Sequence, residues 1–406
     1  MNILLINHYA GSDYHGMEFR PYLMAREWVK CGHDVTIIAC TYTHLRKVNP
    51  KTDKDFQEEI IDGIRYVWVK GREYHGNGAQ RLINMIGFYK KVKWNANKLA
   101  EKYKPDSVIA SSTYPFDIYA ADKIAKAVGA KLFFELHDLW PLSPIELYGF
   151  KESNPLIKYL QRAEDFAFGK TEKVISILPN ANLHMKERGF SDDKFVYVPN
   201  GVILGIEQPE YTEEDQIETI RALKESGHFL VAYTGNHSGA NGLEAFIKAC
   251  TLIDDPTIKF LLIGKGSDKP KLMDYAKTIG AENVLFFDPV RKDNIPYVLE
   301  LIDIAYMGLK KESLFRFGIS PNKLFDYLLA KKPVLYAVEA SNNPILDADC
   351  GITAQAENPE AIAAAVTEFF ALPEERLTEM GENAYQYVIQ NHDYKVLADR
   401  FLDALR

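Results

Sequence analysis

The sequence contains little cysteine. Only four of its 406 residues are cysteine, and none stands in the CxxC spacing of a zinc or redox pair: Cys31, Cys40, Cys250 and Cys350. They are too few and too widely spaced for a disulfide framework. We therefore expect reduced, buried thiols in a protein of the cytoplasm.

Long apolar segments are also missing, and we expect no signal peptide. The first ten residues, MNILLINHYA, have no basic region, and the apolar run of residues 3–6 ends at Asn7 and His8. No segment approaches the roughly 18 apolar residues that a transmembrane helix requires. We expect a cytoplasmic protein, whose only membrane contact would be peripheral, on the inner face of the cytoplasmic membrane.

The fingerprints of dinucleotide and metal chemistry are absent as well. The loop after the first predicted strand reads NHYAGSDYHGME over residues 7–18, which does not match GxGxxG. The histidines show no HxxxH or HExxH spacing, and the two DxD triplets, at 53–55 and 347–349, are no more than chance supplies. We predict no metal site and no cofactor.

The composition is that of a folded protein, with 47% hydrophobic and 26% charged residues, which excludes extended disorder. A net charge of −8 argues against a nucleic-acid partner. The charge is uneven, because residues 1–200 carry 28 basic and 24 acidic side chains, whereas residues 201–406 carry 20 and 32. The first half could therefore face an anionic surface although the whole chain is acidic.

Short apolar runs alternate with amphipathic stretches along the chain, which predicts an α/β protein with parallel sheets covered by helices. The series restarts after Pro199-Asn200-Gly201 and an acid-rich linker near 207–225. We predict two doubly wound, Rossmann-like domains, 1–203 and 204–385, and a C-terminal helix, 386–406. Ligands of such domains bind at the carboxyl ends of the strands.

One candidate site follows the predicted strand 131–135. The strand runs directly into Glu135, His137 and Asp138. A histidine at a strand's carboxyl end can bond a sugar hydroxyl or a phosphate. A neighbouring His–Asp pair is more often structural, but this position favours a functional role.

Three loops of the second half form another candidate site: residues 233–242, 262–267 and 318–326. In the last loop we predict Ser320 as the N-cap of a helix and Pro321 as its first residue. Free amides at that helix start, together with lysines in these loops, would bind a diphosphate through the helix dipole and charge. Any one of these loops could be an ordinary turn, whereas all three on successive crossovers indicate a ligand site.

Residues 76–100 combine five basic residues, no acidic residue and many apolar ones. This mixture is typical of a helix lying in an anionic bilayer interface. A helix that packs its apolar stripe on a sheet and exposes its lysines needs the same mixture. The sequence leaves both interpretations open, and it predicts one helix over 82–102.

Taken together, these motifs resemble the GT-B glycosyltransferases of family 4 over essentially the whole chain. The resemblance rests on the glycine loop before Met17, on His137, on Pro199-Asn200-Gly201-Val202, on Gly264-Lys265-Gly266 and on the run from Ser320 to Tyr327. The opening residues and ELHDLWPLSPIEL are most similar to the N-acetyl-L-fucosamine transferases of bacterial O-antigen and capsule clusters. This family's fold places two Rossmann-like domains around a central cleft, with the last helix returning to the N-terminal domain.

The resemblance implies retaining, metal-independent transfer from a nucleotide-diphosphate sugar to a polyprenyl-diphosphate-linked saccharide in surface polysaccharide synthesis. The donors usual in this family imply a UDP-linked sugar. The resemblance also implies that His137 and Lys323 are catalytic, and that Asp326 holds the ribose. Glu18 and Arg20 would lie near the acceptor. The other residues implied to bind the nucleotide sugar are Gly16, Gly235, Asn236, Gly264, Lys265, Ser320, Pro321, Asn322 and Leu324.

The chain departs from the family pattern at the paired acids of E-x7-E, because Gly318 stands where the first acid is expected and Asp326 where the second is. The usual Arg and Lys after the first strand of the second domain are also missing, with His237 and Asn241 nearby. The donor sugar is therefore open, an acetamido-deoxy sugar being one candidate. Two alternative functions remain: a UDP-sugar 2-epimerase of the same fold, and a non-catalytic nucleotide-sugar-binding partner.

Overall fold

The structure, a computed structural model, describes residues 1–16, 20–76, 78–205 and 210–406. These residues divide into two compact units. The first unit comprises Met1–Asn200, Phe317–Ser320 and Tyr394–Arg406, and the second comprises Gly201–Arg316 and Pro321–Asp393. The first break therefore falls at Asn200, three residues before the predicted boundary.

The first unit contains an eight-stranded sheet among its described residues. Its strands are β1 (Asn2–Ile6), β2 (Asp34–Cys40), β3 (Gln57–Ile61), β4 (Ile64–Val69), β5 (Ser107–Ala110), β6 (Lys131–Leu136), β7 (Lys173–Ser176) and β8 (Phe195–Tyr197). Its helices are α1 (Arg20–Lys30), α2 (Ala79–Trp94), α3 (Ala96–Tyr103), α4 (Ile118–Val128), α5 (Leu142–Tyr148), α6 (Pro155–Lys170) and α7 (Ala181–Glu187). Near the C-terminus, α16 (Tyr394–Leu405) joins them.

The strand order of this sheet is β3-β4-β2-β1-β5-β6-β7-β8, and each pairing is parallel except that of β3 with β4. The chain order reverses at β1, which pairs with β2 on one side and β5 on the other. The ends of β1, β5 and β6 are in register, since Ile6 faces Ala110 and Ala110 faces Phe134. The residues that follow these three strands therefore meet at one edge, beside the point where a ligand of such a sheet binds.

The second unit contains a six-stranded, all-parallel sheet in the described residues, with the order β11-β10-β9-β12-β13-β14. Its strands are β9 (Phe229–Thr234), β10 (Ile258–Ile263), β11 (Val284–Phe287), β12 (Ile304–Gly308), β13 (Val334–Ala337) and β14 (Gly351–Thr353). Its helices are α8 (Asp215–Glu225), α9 (Leu243–Cys250), α10 (Lys269–Thr278), α11 (Ile295–Leu301), α12 (Asn322–Leu329), α13 (Pro344–Asp347), α14 (Pro359–Ala371) and α15 (Glu374–Asn391).

Apolar side chains on both faces of the central strands form the cores. Residues 3–6 of β1 and residues 260–263 of β10 are almost completely buried, as expected for parallel strands covered by helices on both sides. Each such side chain contributes about 1.5–3 kcal/mol to folding. The prediction of two parallel-sheet α/β units is confirmed.

The last helix belongs to the first unit, where it packs on α1. The rings of Trp28 and Phe401 lie 5.0 Å apart, and the Trp28 indole donates to the carbonyl of Ala398 at 3.3 Å. Position 386, the start predicted for this helix, lies inside α15, and the helix that joins the first unit begins at Tyr394.

Several elements differ from the sequence-based expectation. The single helix predicted over 82–102 is two helices, α2 and α3, separated at Asn95, whose side chain donates to the carbonyl of Lys91 at 2.9 Å. The edge strand β3 was not predicted, because it carries exposed and half-exposed residues rather than an apolar run. The acid-rich linker expected near 207–225 contains the helix α8.

Among the helices that the structure describes, none has both the length and the apolar character needed to cross a lipid bilayer.

Candidate active site

The carboxyl edge of the first sheet gathers polar side chains from three neighbouring strands. Asn7 follows β1, Ser111 follows β5, and Glu135 and His137 lie at the end of β6. The Asn7 amide donates to the Ser111 carbonyl at 2.6 Å and lies 3.2 Å from the Ser111 hydroxyl. His137 is the most accessible of the four, with 14% of its side chain exposed. We call these four residues the first-edge cluster.

A buried carboxylate, Glu135, is the centre of this cluster. Its Oε1 lies 2.6 Å from Nε of Arg20. Its Oε2 accepts a hydrogen bond from the Ser111 hydroxyl at 2.5 Å and lies 3.3 Å from Nε2 of His137. Burial opposes ionisation of this carboxyl, but the charge of Arg20, the neighbouring His137 ring and the hydrogen bonds outweigh burial and lower its pKa to about 2. Glu135 is therefore an anion at neutral pH.

The placement of Arg20 argues against its predicted contact with the acceptor. Only 5% of the residue is exposed. Its guanidinium is engaged by Glu135 and by the carbonyls of Val198, at 2.7 Å, and Pro199. Arg20 therefore supports the sheet edge from inside. Glu18, the other predicted acceptor residue, lies outside the described residues.

The loop after β1 is fixed to the sheet by buried polar groups. The Arg46 guanidinium donates to the carbonyls of Ala10 and Cys40. Gly16 ends a short 3-10 turn at φ +62°, and a Cβ at this position would lie 2.8 Å from Cδ of Lys47. Glycine is therefore favoured there, because it adopts a positive φ without strain and leaves room for the Lys47 side chain. Its predicted contact with a diphosphate stays a prediction.

In the second unit, two strand-to-helix loops pack backbone against backbone. Gly235, after β9, has φ +139°, and Gly264, after β10, has φ +147°. A Cβ on Gly264 would lie 2.0 Å from the Gly235 carbonyl oxygen, and one on Gly266 would lie 2.1 Å from that of His237. Side chains at either position would force the loops apart. The glycines of 233–242 and 262–267 thus build one surface.

Lys323 is brought to this surface by the first turn of α12. Its Nζ lies 2.6 Å from the Tyr233 hydroxyl, 3.4 Å from Oδ1 of Asn241 and 4.1 Å from the centre of the Tyr233 ring. These partners are all neutral. Burial lowers the pKa of Lys323 to about 8, so that the amine is still mostly a cation at neutral pH. A cation beside glycine-rich backbone suits a phosphate group.

The helix start itself differs by one residue from the prediction. Pro321 occupies the N-cap position with extended backbone, and α12 begins at Asn322. Ser320 is therefore not the N-cap. Its hydroxyl oxygen accepts from the Asn200 backbone N–H, and its carbonyl accepts from the Asn200 side chain, both at 2.9 Å.

The backbone amides of the next residues differ in whether they are available to a ligand. Leu324 is buried, and its N–H donates to the Pro321 carbonyl at 3.1 Å, which argues against the predicted contact of this amide with phosphate. The first amides of a helix have no partner within it, so Asn322 and Lys323 are better placed for that contact. Asp326 lies one turn further along and is exposed.

The remaining predicted residues lie on the same loops. The Lys265 side chain is exposed, and its carbonyl accepts from the His237 N–H at 2.8 Å. The carbonyl of Asn236 accepts from the Tyr233 hydroxyl at 2.8 Å and from the Asn241 amide at 2.9 Å. The structure thus brings Gly235, Asn236, Gly264, Lys265 and Lys323 to one set of loops, which we call the second-edge loops.

His237 and Asn241 lie near the positions where the family usually has an arginine and a lysine, and neither of them is charged at neutral pH. His237 is fully buried, and burial, assisted by the charges of Lys269 and Lys323, lowers its pKa to about 4. Asn241 is neutral. Lys323, whose side-chain contacts are all neutral, therefore brings a positive charge to these loops, and the Lys269 amine also contacts them, at 3.0 Å from the Gly264 carbonyl oxygen. At Gly318, φ is +89°, a conformation that disfavours the acid expected there.

Sequence reasoning did not assign roles to Ser111, Tyr233 or the Glu135 carboxylate. Ser111 and Tyr233 lie at strand ends, which is a signal that was available. Their partners are 26 and 90 residues away in the chain, and only the folded sheet brings them together.

The basic helix α2 packs its apolar stripe on the sheet, with Met85, Phe88 and Val92 buried. On its outer side Lys90 is exposed, and Ile83 and Trp94 are 55% and 73% exposed. The helix α2 is thus packed into the first unit on one side, and it exposes apolar and basic side chains on the other. In the described part of the chain, no group of three or more potential metal-binding side chains occurs.

Comparison with known families identifies the family to which the chain belongs. A glycosyl transferase 4-like domain matches residues 15–201, and a glycosyl transferases group 1 domain matches residues 228–371. Together they span most of the sequence. The chain belongs to the GT-B glycosyltransferases of family 4 and is a glycosyltransferase.

Two curated relatives match three quarters of the chain. WbjE of Pseudomonas aeruginosa, named a glycosyltransferase, is 22% identical over 76% of this chain and 76% of its own. WcaI of Escherichia coli K12, named a colanic acid biosynthesis glycosyl transferase, is 20% identical over 75% of each chain.

Solved structures show the same fold over full length. Sucrose-phosphate synthase from Thermosynechococcus elongatus gives a TM-score of 0.71 at 14% identity, covering 99% of this chain and 97% of that one. Anabaena HepE, solved with UDP and glucose, gives 0.65 at 14% identity, covering 100% and 99%. These similarities show a shared GT-B fold.

Proposed function

We propose that the protein transfers a sugar, with retention of configuration and without a metal ion, from a UDP-linked donor to a polyprenyl-diphosphate-linked saccharide. The second-edge loops would bind the donor diphosphate. The UDP seen in HepE supports a uridine donor, and the name of WcaI supports a place in surface polysaccharide synthesis. No resident cofactor takes part; the nucleotide sugar is a substrate.

The main observation in support of this proposal is the position of the Lys323 amine at the start of α12, in contact with Tyr233 and Asn241. When the glycosidic bond breaks, negative charge builds on the β-phosphate of the leaving nucleoside diphosphate. Lys323, held by Tyr233 and Asn241 and shielded from water, would stabilise that charge together with the first amides of the helix. A fixed donor of this kind lowers the barrier by about 3–4 kcal/mol.

The first-edge cluster would act on the donor sugar. His137 is accessible at the end of β6, and the polar groups behind it are buried. In retaining transfer the departing phosphate takes the proton of the acceptor hydroxyl, so that no carboxylate base is required. Glu135 is buried behind His137 and ion-paired, which fits a supporting role rather than that of a base.

The donor sugar is proposed to be an acetamido-deoxy sugar. The acid that ordinarily contacts the sugar hydroxyls in this family is replaced by Gly318, whose φ of +89° disfavours any side chain. A donor with fewer hydroxyls has less need of that acid. Asp326, exposed on α12, is proposed to hold the ribose diol.

We also propose that residues 76–100 contact an anionic membrane surface, where a polyprenyl-linked acceptor would be found. Lys90 and Trp94 on the outer side of α2 are exposed. Basic and aromatic groups together favour the interface of an anionic bilayer.

The test is mass spectrometry of the products formed from a panel of nucleotide sugars, each with a polyprenyl-diphosphate-linked acceptor. A chelator is present to remove divalent metal ions. We expect an acceptor heavier by one sugar residue, and release of UDP. A donor changed to its epimer without any acceptor would show the 2-epimerase instead. Nucleotide binding without any change in donor or acceptor would show a non-catalytic partner.

A further inference from the structure

The proton positions around His137 follow from its neighbours. Nε2 of the ring lies 3.1 Å from the Ser111 hydroxyl and 3.3 Å from Oε2 of Glu135. Ser111 has one hydroxyl proton, and it is donated to Glu135 at 2.5 Å. The Ser111 oxygen therefore faces the ring as an acceptor, and an ionised carboxylate is also an acceptor only.

Two acceptors at one nitrogen require that this nitrogen carries hydrogen. A neutral imidazole has one N–H and one acceptor nitrogen, and the hydrogen bond of one nitrogen decides the state of the other. In a neutral ring, hydrogen on Nε2 leaves the nitrogen Nδ1 of His137 as an acceptor, whereas in a doubly protonated ring both nitrogens donate.

We propose that Glu135 is a positioning residue, which fixes His137 in the Nε2–H tautomer so that Nδ1 accepts a hydrogen bond from a hydroxyl of the donor sugar. This inference rests on the proposed transferase function. Arg20 takes part indirectly, because its 2.6 Å contact holds the other oxygen of Glu135 and its remaining donors are fixed by the carbonyls of Val198 and Pro199.

The arrangement has the parts that such a role needs. Glu135 is 1% exposed and cannot touch a sugar itself, whereas the His137 side chain is 14% exposed. The other tautomer would present an N–H, which only donates, so the sugar hydroxyl would lose the acceptor for its proton and would have to turn to accept instead. Such a loss in a polar network corresponds to a roughly 10- to 100-fold fall in rate.

The first measurement is the tautomer of His137 in the wild-type protein without substrate, from the ¹⁵N shifts of its ring in mildly alkaline buffer. Assignment uses the spectrum of His137→Gln, in which the signals of this ring are missing. We expect hydrogen on Nε2 and an acceptor Nδ1. Hydrogen on Nδ1, alone or in a doubly protonated ring, would overturn the proposal.

The second measurement is steady-state transfer by Glu135→Gln. A glutamine can turn its NH₂ group toward the ring, which removes the fixed acceptor. We expect kcat to fall about 10- to 100-fold with a small change in KM for the donor, and His137 to lose the pure Nε2–H signal. An unchanged tautomer with wild-type kcat would overturn the proposal.

A matched control exists in the same unit. Glu164 and His184 form a second buried pair, with Oε2 3.0 Å from Nε2, outside the first-edge cluster. Glu164→Gln removes a buried acid from a histidine in the same way, and we expect it to leave kcat unchanged and the His137 signals in place. An equal fall of kcat in both variants would show a general structural effect and overturn the positioning role.

Ser111→Ala is the second variant, for use if Glu135→Gln does not fold. This variant keeps the Arg20–Glu135 pair, and we expect His137 to retain Nε2–H through Glu135. Loss of that tautomer would contradict the role of Glu135. The proposed function is tested separately, because the tautomer of His137 can be measured in the wild-type protein even if that protein shows no transfer activity. An active wild type with hydrogen on Nδ1 overturns only the present inference.

Discussion

The carboxyl edge of the first sheet is built from side chains, whereas that of the second is built mainly from backbone. In the first unit a buried carboxylate connects an arginine, a serine and a histidine from distant parts of the chain. In the second unit, glycines let two loops touch, and lysine side chains add positive charge, with Lys323 held against Tyr233. A side-chain network suits a small, directional target such as a sugar hydroxyl, and exposed amides with a cation suit a diphosphate.

The largest effect is expected from removing the cation behind the first-edge cluster. Arg20→Met leaves Glu135 buried without its partner, which should cost about 3–5 kcal/mol of unfolding free energy. Urea denaturation measures this loss. The control is Arg188→Met, whose partner Asp165 is partly exposed, and whose cost should stay below about 1 kcal/mol. Equal costs would mean that the buried pair does not hold the first edge.

The same pair makes stability depend on pH. The folded pKa of Glu135 is lowered from 4.5 to about 2, so its stabilisation is fully present above pH 4.5 and is lost as the pH falls toward 2. Over this window we expect a contribution of about 3 kcal/mol to disappear. Denaturation curves at several pH values should show a shallower fall in Arg20→Met than in the wild type.

A glycine substitution tests the backbone edge. Gly264→Ala brings a Cβ to 2.0 Å from the Gly235 carbonyl oxygen at φ +147°, and should destabilise the second unit by about 3 kcal/mol. Gly280→Ala is the matched control, because Gly280 has φ +66° and nothing within 4 Å of its Cβ position, and should cost about 1 kcal/mol. A tolerated Gly264→Ala would contradict the close loop packing.

Removal of the lysine should affect the reaction rather than the fold. We expect Lys323→Ala to lower turnover at least ~10-fold. In the wild type, kcat/KM for the donor should fall as the pH rises through about 8, where free Lys323 loses its proton. The residual activity of Lys323→Ala should lack this fall.

Lys332→Ala is the control for that experiment. Lys332 is another partly buried lysine, and its amine donates to the carbonyls of Glu300 and Ile302, at the opposite end of α12. Its replacement should leave the pH profile unchanged. Wild-type turnover in purified Lys323→Ala would remove the main support for the phosphate site.

The smallest effect concerns the membrane. Joint replacement of Lys90, Lys91 and Lys93 by Gln should weaken binding to anionic vesicles by about 1 kcal/mol for each lysine near the surface. Lys91 should contribute less, because it is paired with Asp55 at 2.9 Å. Replacement of Lys271 and Lys277, exposed in the second unit, is the control. Vesicle binding that survives the triple replacement would assign this contact to another surface.

The contrast between the two edges also explains what the sequence could reveal. The strand predicted over 131–135 is β6, Lys131–Leu136, and it was visible because buried parallel strands are mostly apolar. The second-edge loops were visible as glycine-rich turns between a strand and a helix. His137 was visible because it directly follows its strand.

What the sequence did not reveal depends on contacts between distant residues. The role of Arg20 requires knowing that α1 lies beside the end of β6, 115 residues away. The position of Lys323 depends on Tyr233, 90 residues earlier. The N-cap at Pro321 instead of Ser320 is a local error, because Ser320 bonds to Asn200 and does not cap the helix.

The most direct test of the account is the anomeric configuration of the product, followed by proton NMR during transfer from the active UDP-sugar in the presence of a chelator. We predict a product with the same anomeric configuration as the donor, formed at the same rate with and without the chelator. An inverted product, or activity that the chelator abolishes and a divalent cation restores, would contradict metal-independent, retaining transfer supported by Lys323.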